Sequence, residues 1–237
     1  MSRAGPRAPG AQALRAAALP AAGGQAGPSP RPVAAGAPTA ADPARPGGRG
    51  TGRLRRPLVE RVGHLGFPLV LKVPDGAFSR GVVKVESLQA LEREAARLFR
   101  DSALLLVQEW LPTEYDWRIG VLDGQVLFAS RYYMARGHWQ IYDHSGGRVK
   151  SGGFTTHAPE EVPPAVIKAA LKACRLIGDG LYGVDLKQAG ERVVVIEVND
   201  NPNIDVGIED SVLGRGLYER IMGVFLSRLE AQVRQGS

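Results

Sequence analysis

The first fifty of the 237 residues cannot build a core, and this confines any fold to the rest of the chain. They hold 16 Ala, 9 Pro, 9 Gly and 6 Arg, with Asp42 as their one acidic residue. No large apolar face offsets the entropy of ordering such a segment, so residues 1–50 are expected to be a disordered tail. Two origins fit this composition. One is a genuine linker; the other is translated G/C-rich DNA outside the true frame, because Ala, Pro, Gly and Arg are the residues whose codons can begin with two G or C letters.

The tail also accounts for the charge. The whole chain carries +6, and five of those charges sit in residues 1–50. The remaining 187 residues hold 24 basic and 23 acidic side chains, so a globular part would be nearly neutral. Six arginines among prolines could touch RNA weakly, but no aromatic side chain is interleaved to stack on bases, and nucleic acid is not the expected partner. No run approaches eighteen apolar residues, so no membrane partner is expected either. The tail has no uninterrupted apolar stretch of the kind a secretory signal needs. The single cysteine, Cys174, excludes an internal disulfide and fits a reducing compartment, so the expected location is cytoplasmic.

Beyond residue 50 the pattern becomes that of a folded α+β protein. Pro68-Leu-Val-Leu-Lys-Val73 and Gly81-Val-Val-Lys-Val85 predict two strands, separated by a loop rich in turn formers. Ser87 can cap a helix that places Leu88, Leu91, Ala95, Leu98 and Phe99 on one face. Leu104–Glu109 predicts a further strand. Trp117–Leu122 and Gln125–Tyr133 predict a hairpin turning at Asp123-Gly124. Pro163 suits the first turn of a helix reaching about Ile177. Leu181–Leu186 and Val193–Asn199 predict a second hairpin, and Leu217–Val233 a terminal amphipathic helix, with Arg220, Arg228 and Arg234 on a solvated face. Hairpins mixed with helices argue against a doubly wound parallel sheet.

Two apparent nucleotide motifs do not survive their context. Gly178-Asp-Gly-Leu-Tyr-Gly183 matches G-x-G-x-x-G, but a helix precedes it and a strand comes after it, the reverse of a dinucleotide site. Gly147-Arg-Val-Lys-Ser151 has Val149 where a phosphate loop needs glycine.

The strongest chemical signal is Asp185, Glu197 and Asn199. Glu197 and Asn199 lie two apart at the end of the apolar run Val193-Val-Val-Ile196, so both point to one face. Asp185 shares that face if the hairpin loop has an odd length, such as Ala189-Gly-Glu191, which sets residue 185 opposite 195; a two-residue loop would turn it away. Two carboxylates and an amide oxygen make a hard-oxygen site suited to Mg²⁺, for which Mn²⁺ can substitute, bridging phosphate oxygens. The plain alternative is a solvated strand end leading into an Asn-Asp-Asn-Pro turn, and spacing alone leaves both open. Lys72 interrupts an apolar strand, where it either meets a phosphate or extends its ammonium past the strand end to solvent. Gln108-Glu-Trp110 and Glu114-Tyr-Asp-Trp-Arg118 could present a backbone edge to a base and a carboxylate, Asp116, to ribose hydroxyls.

In this order the motifs resemble those of the ATP-grasp ligases, and most of all the RimK-type branch. The resemblance runs from about residue 57 to 237, and its most specific part is Gly183-Val-Asp185 with Glu197-Val-Asn199 twelve residues on. It implies an ATP-grasp fold, two α+β subdomains that clamp ATP. Residues 51–109 would form a partial nucleotide-binding subdomain and residues 110–237 the C-terminal subdomain with the metal site. By the same resemblance Lys72 meets the α/β-phosphates, and the loop Asp75–Gly81, with Ser79, closes over them. Glu109 and Trp110 hold the adenine edge, Asp116 the ribose, and Asp185, Glu197 and Asn199 bind magnesium. Arg131 takes the place of an arginine near the γ-phosphate, where it would act catalytically.

The implied activity is ATP- and Mg-dependent carboxylate–amine ligation through an acyl phosphate. Its partners would be ATP, a carboxylate, and an amine on an amino acid, peptide or protein tail. One departure from the family is the segment Gly137-His-Trp-Gln-Ile-Tyr-Asp-His144, which replaces an Arg-Ser-Asn motif and either reshapes specificity or packs a wall. Another is the N-terminal domain of such ligases, whose place is taken here by the Ala/Pro/Gly/Arg tract, so the chain reads as truncated. The alternative function is an ATP-binding module without ligase turnover.

Overall fold

The computed structural model describes residues 12–13, 16–20, 61–74, 81–143 and 148–235. It divides into two compact units, Arg15–Trp110 and Leu111–Ser237 joined by Met1–Leu14. Both mix helices with largely antiparallel sheets, as the α+β pattern requires.

The segment expected to be a disordered tail contributes two short strands, β1 (Gln12–Ala13) and β2 (Ala16–Pro20). Those seven residues join sheet edges; the rest of the tail lies outside the described residues. The physical reason is that a sheet edge offers a row of unpaired N–H and C=O groups, which small, uncharged residues can join without needing a side-chain face of their own.

In the smaller unit, β3 (Leu69–Lys72), β4 (Val82–Val85) and β5 (Leu104–Glu109) form a sheet in the order β2-β5-β3-β4, with every pair antiparallel. Helix α1 (Leu88–Leu98) covers one face, its Ser87 cap accepting from the Ala90 amide at 3.2 Å. Leu69, Leu71, Val85, Leu91, Ala95, Leu98, Leu105 and Val107 are buried together. Each fully buried leucine contributes about 1.5–3 kcal/mol. Alternation then sends Val70, Lys72, Lys84 and Gln108 to the opposite face.

The larger unit is built on β6 (Tyr115–Leu122), β7 (Gln125–Tyr133), β10 (Phe154–His157), β11 (Leu181–Ala189) and β12 (Arg192–Asn199), with β1 parallel to β12 at the edge. A separate ribbon pairs β8 (Tyr142–Asp143) with β9 (Lys150–Ser151). Helix α2 (Pro164–Cys174) lies on one face, burying Val166, Ala169, Ala170 and Cys174 against Trp117, Ile119, Ala129, Val184 and Leu186. Helix α3 (Arg215–Gln235) packs Leu217 and Ile221 beside Leu122, Leu127 and Phe128. Arg228 on α3, expected to be solvated, instead ties the helix to Asp123 at 2.9 Å and to the Asp179 carbonyl at 2.7 Å.

Both hairpins turn on two residues. Asp123-Gly124 has φ of 54° and 70°, the left-handed pair that matches strand twist. In the second hairpin Ala189 pairs with Arg192, so the loop is Gly190-Glu191, with Gly190 at φ 59°. Each hairpin also carries a register shift, after Gly120 in one and at Asp185/Leu186 in the other. These two irregularities decide which side chains share a face.

Candidate active site

The second hairpin corrects one expectation and restores its consequence. A two-residue loop, left undisturbed, would place Asp185 opposite Ile196 and turn it from Glu197. Instead Leu186 pairs with Val195 while Asp185 pairs with Glu197. Ile196 is thus an extra residue in β12, a β-bulge that re-aims the strand beyond it. Asp185 directly faces Glu197, and Asn199 comes two residues on, opposite Gly183. Gly183 is needed there: a Cβ would lie 2.7 Å from Pro202, which leads the next loop down onto the sheet.

The first hairpin does the opposite for Arg131. Its turn alone would set Arg131 across from Asp116. The register shift leaves Leu127 as the extra residue, so Arg131 pairs with Trp117. Trp117 also pairs with Leu186, and this row faces α2. Arg131 therefore stands on the face opposite Asp185, with its guanidinium 4.7 Å from the Tyr115 ring centroid and 4.5 Å from that of Trp117. Its Nε is buried without a hydrogen-bond partner. The structure does not bring Arg131 together with the carboxylates.

On the open face, charges alternate between neighbouring strands. Arg118 forks onto Asp185, Nε to Oδ1 at 2.8 Å and Nη2 to Oδ2 at 2.9 Å. Lys187 donates to Asp116 at 2.6 Å and to Thr113 at 2.8 Å. The Asn199 amide nitrogen approaches Asp185 Oδ2 at 3.4 Å and the Gly183 carbonyl at 3.5 Å. With that nitrogen committed to the sheet, the amide oxygen is the atom left for a cation. Burial opposes charge on Arg118, but the Asp185 carboxylate more than offsets it and holds the guanidinium firmly protonated. Burial likewise pushes the Asp116 carboxyl above its usual range, an effect that Lys187 only partly offsets.

Behind Arg118 lies a second anion. Its guanidinium sits 5.2 Å from the Tyr132 ring centroid. The Tyr132 hydroxyl donates to Glu209, which is fully buried and also accepts from the Asp205 amide at 2.8 Å. Burial, then the bond to Glu209, raises the Tyr132 phenol.

In the smaller unit, Lys72 and Lys84 share the face away from α1. Lys84 lies 3.8 Å from the Trp110 ring centroid and pairs with Glu86 at 3.1 Å. The Trp110 amide donates to the Pro68 carbonyl at 3.1 Å, so this residue offers a ring rather than a backbone donor. Glu109 is at the end of β5, opposite Leu69. Ser79 and most of the loop around it lie outside the described residues, as does His144. His138 Nδ1 accepts from the Gln140 amide at 3.2 Å within its own turn.

Lys84, Arg118, Lys187, Tyr132 and Glu209 carried no role of their own in the sequence, although Arg118 stood within the Glu114-Tyr-Asp-Trp-Arg118 motif. A signal existed for the first three, each a cation inside an otherwise strand-like run. Nothing local marked Glu209. Among the described residues no group of three or more His, Cys, Asp or Glu side chains is gathered to hold a metal. The donor set is two carboxylates and one amide oxygen, which suits a magnesium ion that arrives with phosphate oxygens of its own. A cleft of about 580 Å³ lies elsewhere, between the β6–β7 turn and α3, and includes none of these residues.

This architecture is that of the ATP-grasp ligases. The D-Ala:D-Ser ligase VanG of Enterococcus faecalis superposes with a TM-score of 0.59 at 15% identity, covering 91% of this chain and 57% of that one. The D-alanine–D-alanine ligase of Coxiella burnetii gives 0.58 at 14%, covering 94% and 55%. The chain belongs to the RimK-like ATP-grasp domain family, which matches residues 54–213. It is 32% identical over 186 residues to a protein of Parasynechococcus marenigrum named "Probable alpha-L-glutamate ligase", covering 74% of this chain and 37% of that protein. It is 31% identical over 166 residues to "Probable alpha-L-glutamate ligase 2" of Pseudoalteromonas atlantica, covering 67% and 52%. The chain thus spans about half, or less, of the length of these relatives. Among the described residues no helix is long and apolar enough to cross a membrane.

Proposed function

We propose that this chain carries the ATP-binding and catalytic part of an ATP- and Mg²⁺-dependent carboxylate–amine ligase. A substrate carboxylate takes the γ-phosphoryl group of ATP, and an amine then attacks the acyl phosphate. An amide forms, and ADP and phosphate leave. The observation that carries this reading is the bulge at Ile196, which gathers Asp185, Glu197 and Asn199 within a RimK-like domain.

Asp185, Glu197 and Asn199 would hold magnesium, whose charge lowers the cost of crowding phosphate oxygens. Lys72, with Lys84 on the same sheet face, would meet the phosphates as point charges, and the loop with Ser79 would close over them. Glu109 and the Trp110 ring would contact the base. Asp116 would take the ribose hydroxyls while keeping Lys187. Arg131 is left out of the phosphate site, because it stands on the α2 face of the sheet. The single buried Cys174, with no disulfide partner, supports a reducing, cytoplasmic setting.

The names of the relatives make glutamate the first amino acid to try, both as free amine and as a C-terminal residue accepting one. The test is ADP release from Mg·ATP with glutamate and glutamate-ended peptides. Release that depends on both substrates, and is lost in Asp185→Ala, supports ligation. ATP-dependent thermal stabilisation without ADP release across these substrates would mark a nucleotide-binding module instead.

A further inference from the structure

Arg118 forks onto both oxygens of Asp185, the carboxylate proposed to hold magnesium. A divalent cation at Asp185 would share these two oxygens with the guanidinium and meet its positive charge, so Arg118 competes with the ion by repulsion and for lone pairs. Arg118 is about a quarter exposed and Asp185 about a sixth, at 24% and 17%. Releasing a charge from so enclosed a pair is costly unless a second anion receives it.

Such an anion is present. The buried Glu209 carboxylate lies at the hydroxyl end of Tyr132, the ring that Arg118 faces, and acts electrostatically on Arg118. It accepts from the Tyr132 hydroxyl and the Asp205 amide, and two carboxylate oxygens have lone pairs for more than two donors. Other groups facing Arg118 are the Tyr132 ring and Ser130, its cross-strand neighbour, whose hydroxyl bonds Thr156 at 2.9 Å. Neither is an anion; Asp116, two residues along the same face of β6, is one, but Lys187 already holds it at 2.6 Å, and Glu197, across from Asp185, is itself a proposed ligand. Glu209 also belongs to the segment beyond Asn199, so a cation exchange at Asp185 bears on the loop that leaves the metal site.

We propose that Arg118 is an exchangeable counter-ion, which neutralises Asp185 until a divalent cation binds and then gives its charge over to Glu209. The inference rests on the metal assignment of Asp185. Arg118 is here a positioning residue that competes with the ion and need not touch the substrate. Two substitutions then act in opposite directions. Removing the guanidinium frees Asp185 and tightens metal binding. Removing the Glu209 charge leaves Arg118 no second anion and weakens it. A purely structural role would weaken both.

The experiment is a Mn²⁺ titration of the full chain without nucleotide, following the signal of free Mn²⁺ by electron paramagnetic resonance. Arg118→Gln should bind Mn²⁺ roughly tenfold more tightly than wild type, the factor that ~1.4 kcal/mol of lost competition makes. Arg118→Lys, which keeps a charge but loses the fork, should fall between them and serves if the glutamine variant does not fold. Glu209→Gln should bind several-fold more weakly, and Asp185→Asn should lose the site. In chelator, Arg118→Gln should melt below wild type and gain more from added Mn²⁺. Equal or weaker binding by both Arg118 variants, with the site lost in Asp185→Asn, overturns the counter-ion and leaves the metal assignment standing. Unchanged binding in Asp185→Asn overturns the metal assignment itself.

Discussion

The two hairpins of the larger unit start alike and end differently. Each turns on two residues and each carries one extra residue in its second strand, Leu127 in β7 and Ile196 in β12. In β12 the extra residue brings Glu197 and Asn199 onto the face of Asp185. In β7 it carries Arg131 away from that face and sets it against the Tyr115 and Trp117 rings. A turn fixes pairing only at the hairpin tip; a bulge resets it for every residue beyond. Because side chains alternate with period two, one added residue decides whether a charged group joins a site or a wall.

The most direct way to break the comparison is to remove the extra residue. Deleting Ile196 would let β12 run on without the bulge: Glu197 then follows Val195 directly, and alternation still sets it opposite Asp185 with Asn199 two residues on. We expect the candidate metal site to survive and stability to fall by about 0.5–3 kcal/mol, read in melting temperature. Loss of cation binding in this variant would show that Glu197 and Asn199 need the bulge itself and not their pairing alone.

Next in size is the contrast between two single substitutions. Asp185→Ala strands Arg118 without its partner and should cost about 1–3 kcal/mol while sharply weakening Mg·nucleotide binding. Arg131→Ala loses stacking against two rings, worth about 1 kcal/mol, read in thermal melting. If Arg131→Ala weakens nucleotide binding as strongly as Asp185→Ala, the β7 bulge does not separate the two groups.

Lys187→Met tests the second ion pair on the open face. Asp116 is raised by burial, and without Lys187 its carboxyl should rise further. A raised folded-state carboxyl binds protons more tightly than the unfolded chain does, so its cost is present above the folded value and disappears below the ordinary value of about 3.9. The stability gap between Lys187→Met and wild type should therefore be widest at neutral pH and narrow as pH falls toward 4. Urea titrations at pH 7 and 5 would show it. The smallest effect belongs to Arg228→Ala, which unties α3 from the first hairpin's turn; this partly exposed pair should cost no more than about 1 kcal/mol.

The elements of this fold were largely legible. Leu104–Glu109 and Gln125–Tyr133 are the strands their alternation predicts, Ser87 caps its helix, and Asp123-Gly124 makes its turn. The short strands β1, β2, β8, β9 and β10 escaped notice, since two to five residues joining an edge show no period of their own. The site was legible as residue types, not as faces. The step from Asp185 to Glu197 is visible in the sequence, but the extra residue Ile196 is specified by cross-strand packing rather than by any local signal. Arg131 was expected near the γ-phosphate, and its bulge sets it on the face opposite Asp185. Lys187 looked like an ordinary strand residue and Arg118 like a motif residue without a partner, and only the cross-strand register shows each lying against a carboxylate. Glu209, seventy-seven positions from Tyr132, could be placed only by the fold.

The function proposed for this chain stands or falls on Asp185, Glu197 and Asn199 forming one cation site for a nucleotide. Calorimetric titration of a non-hydrolysable ATP analogue with Mg²⁺ into wild type, Glu197→Gln and Asn199→Ala tests it most directly. At least a tenfold loss of affinity in each variant, present with Mg²⁺ and absent in chelator, is the predicted result. Affinities equal to wild type in both variants would contradict it.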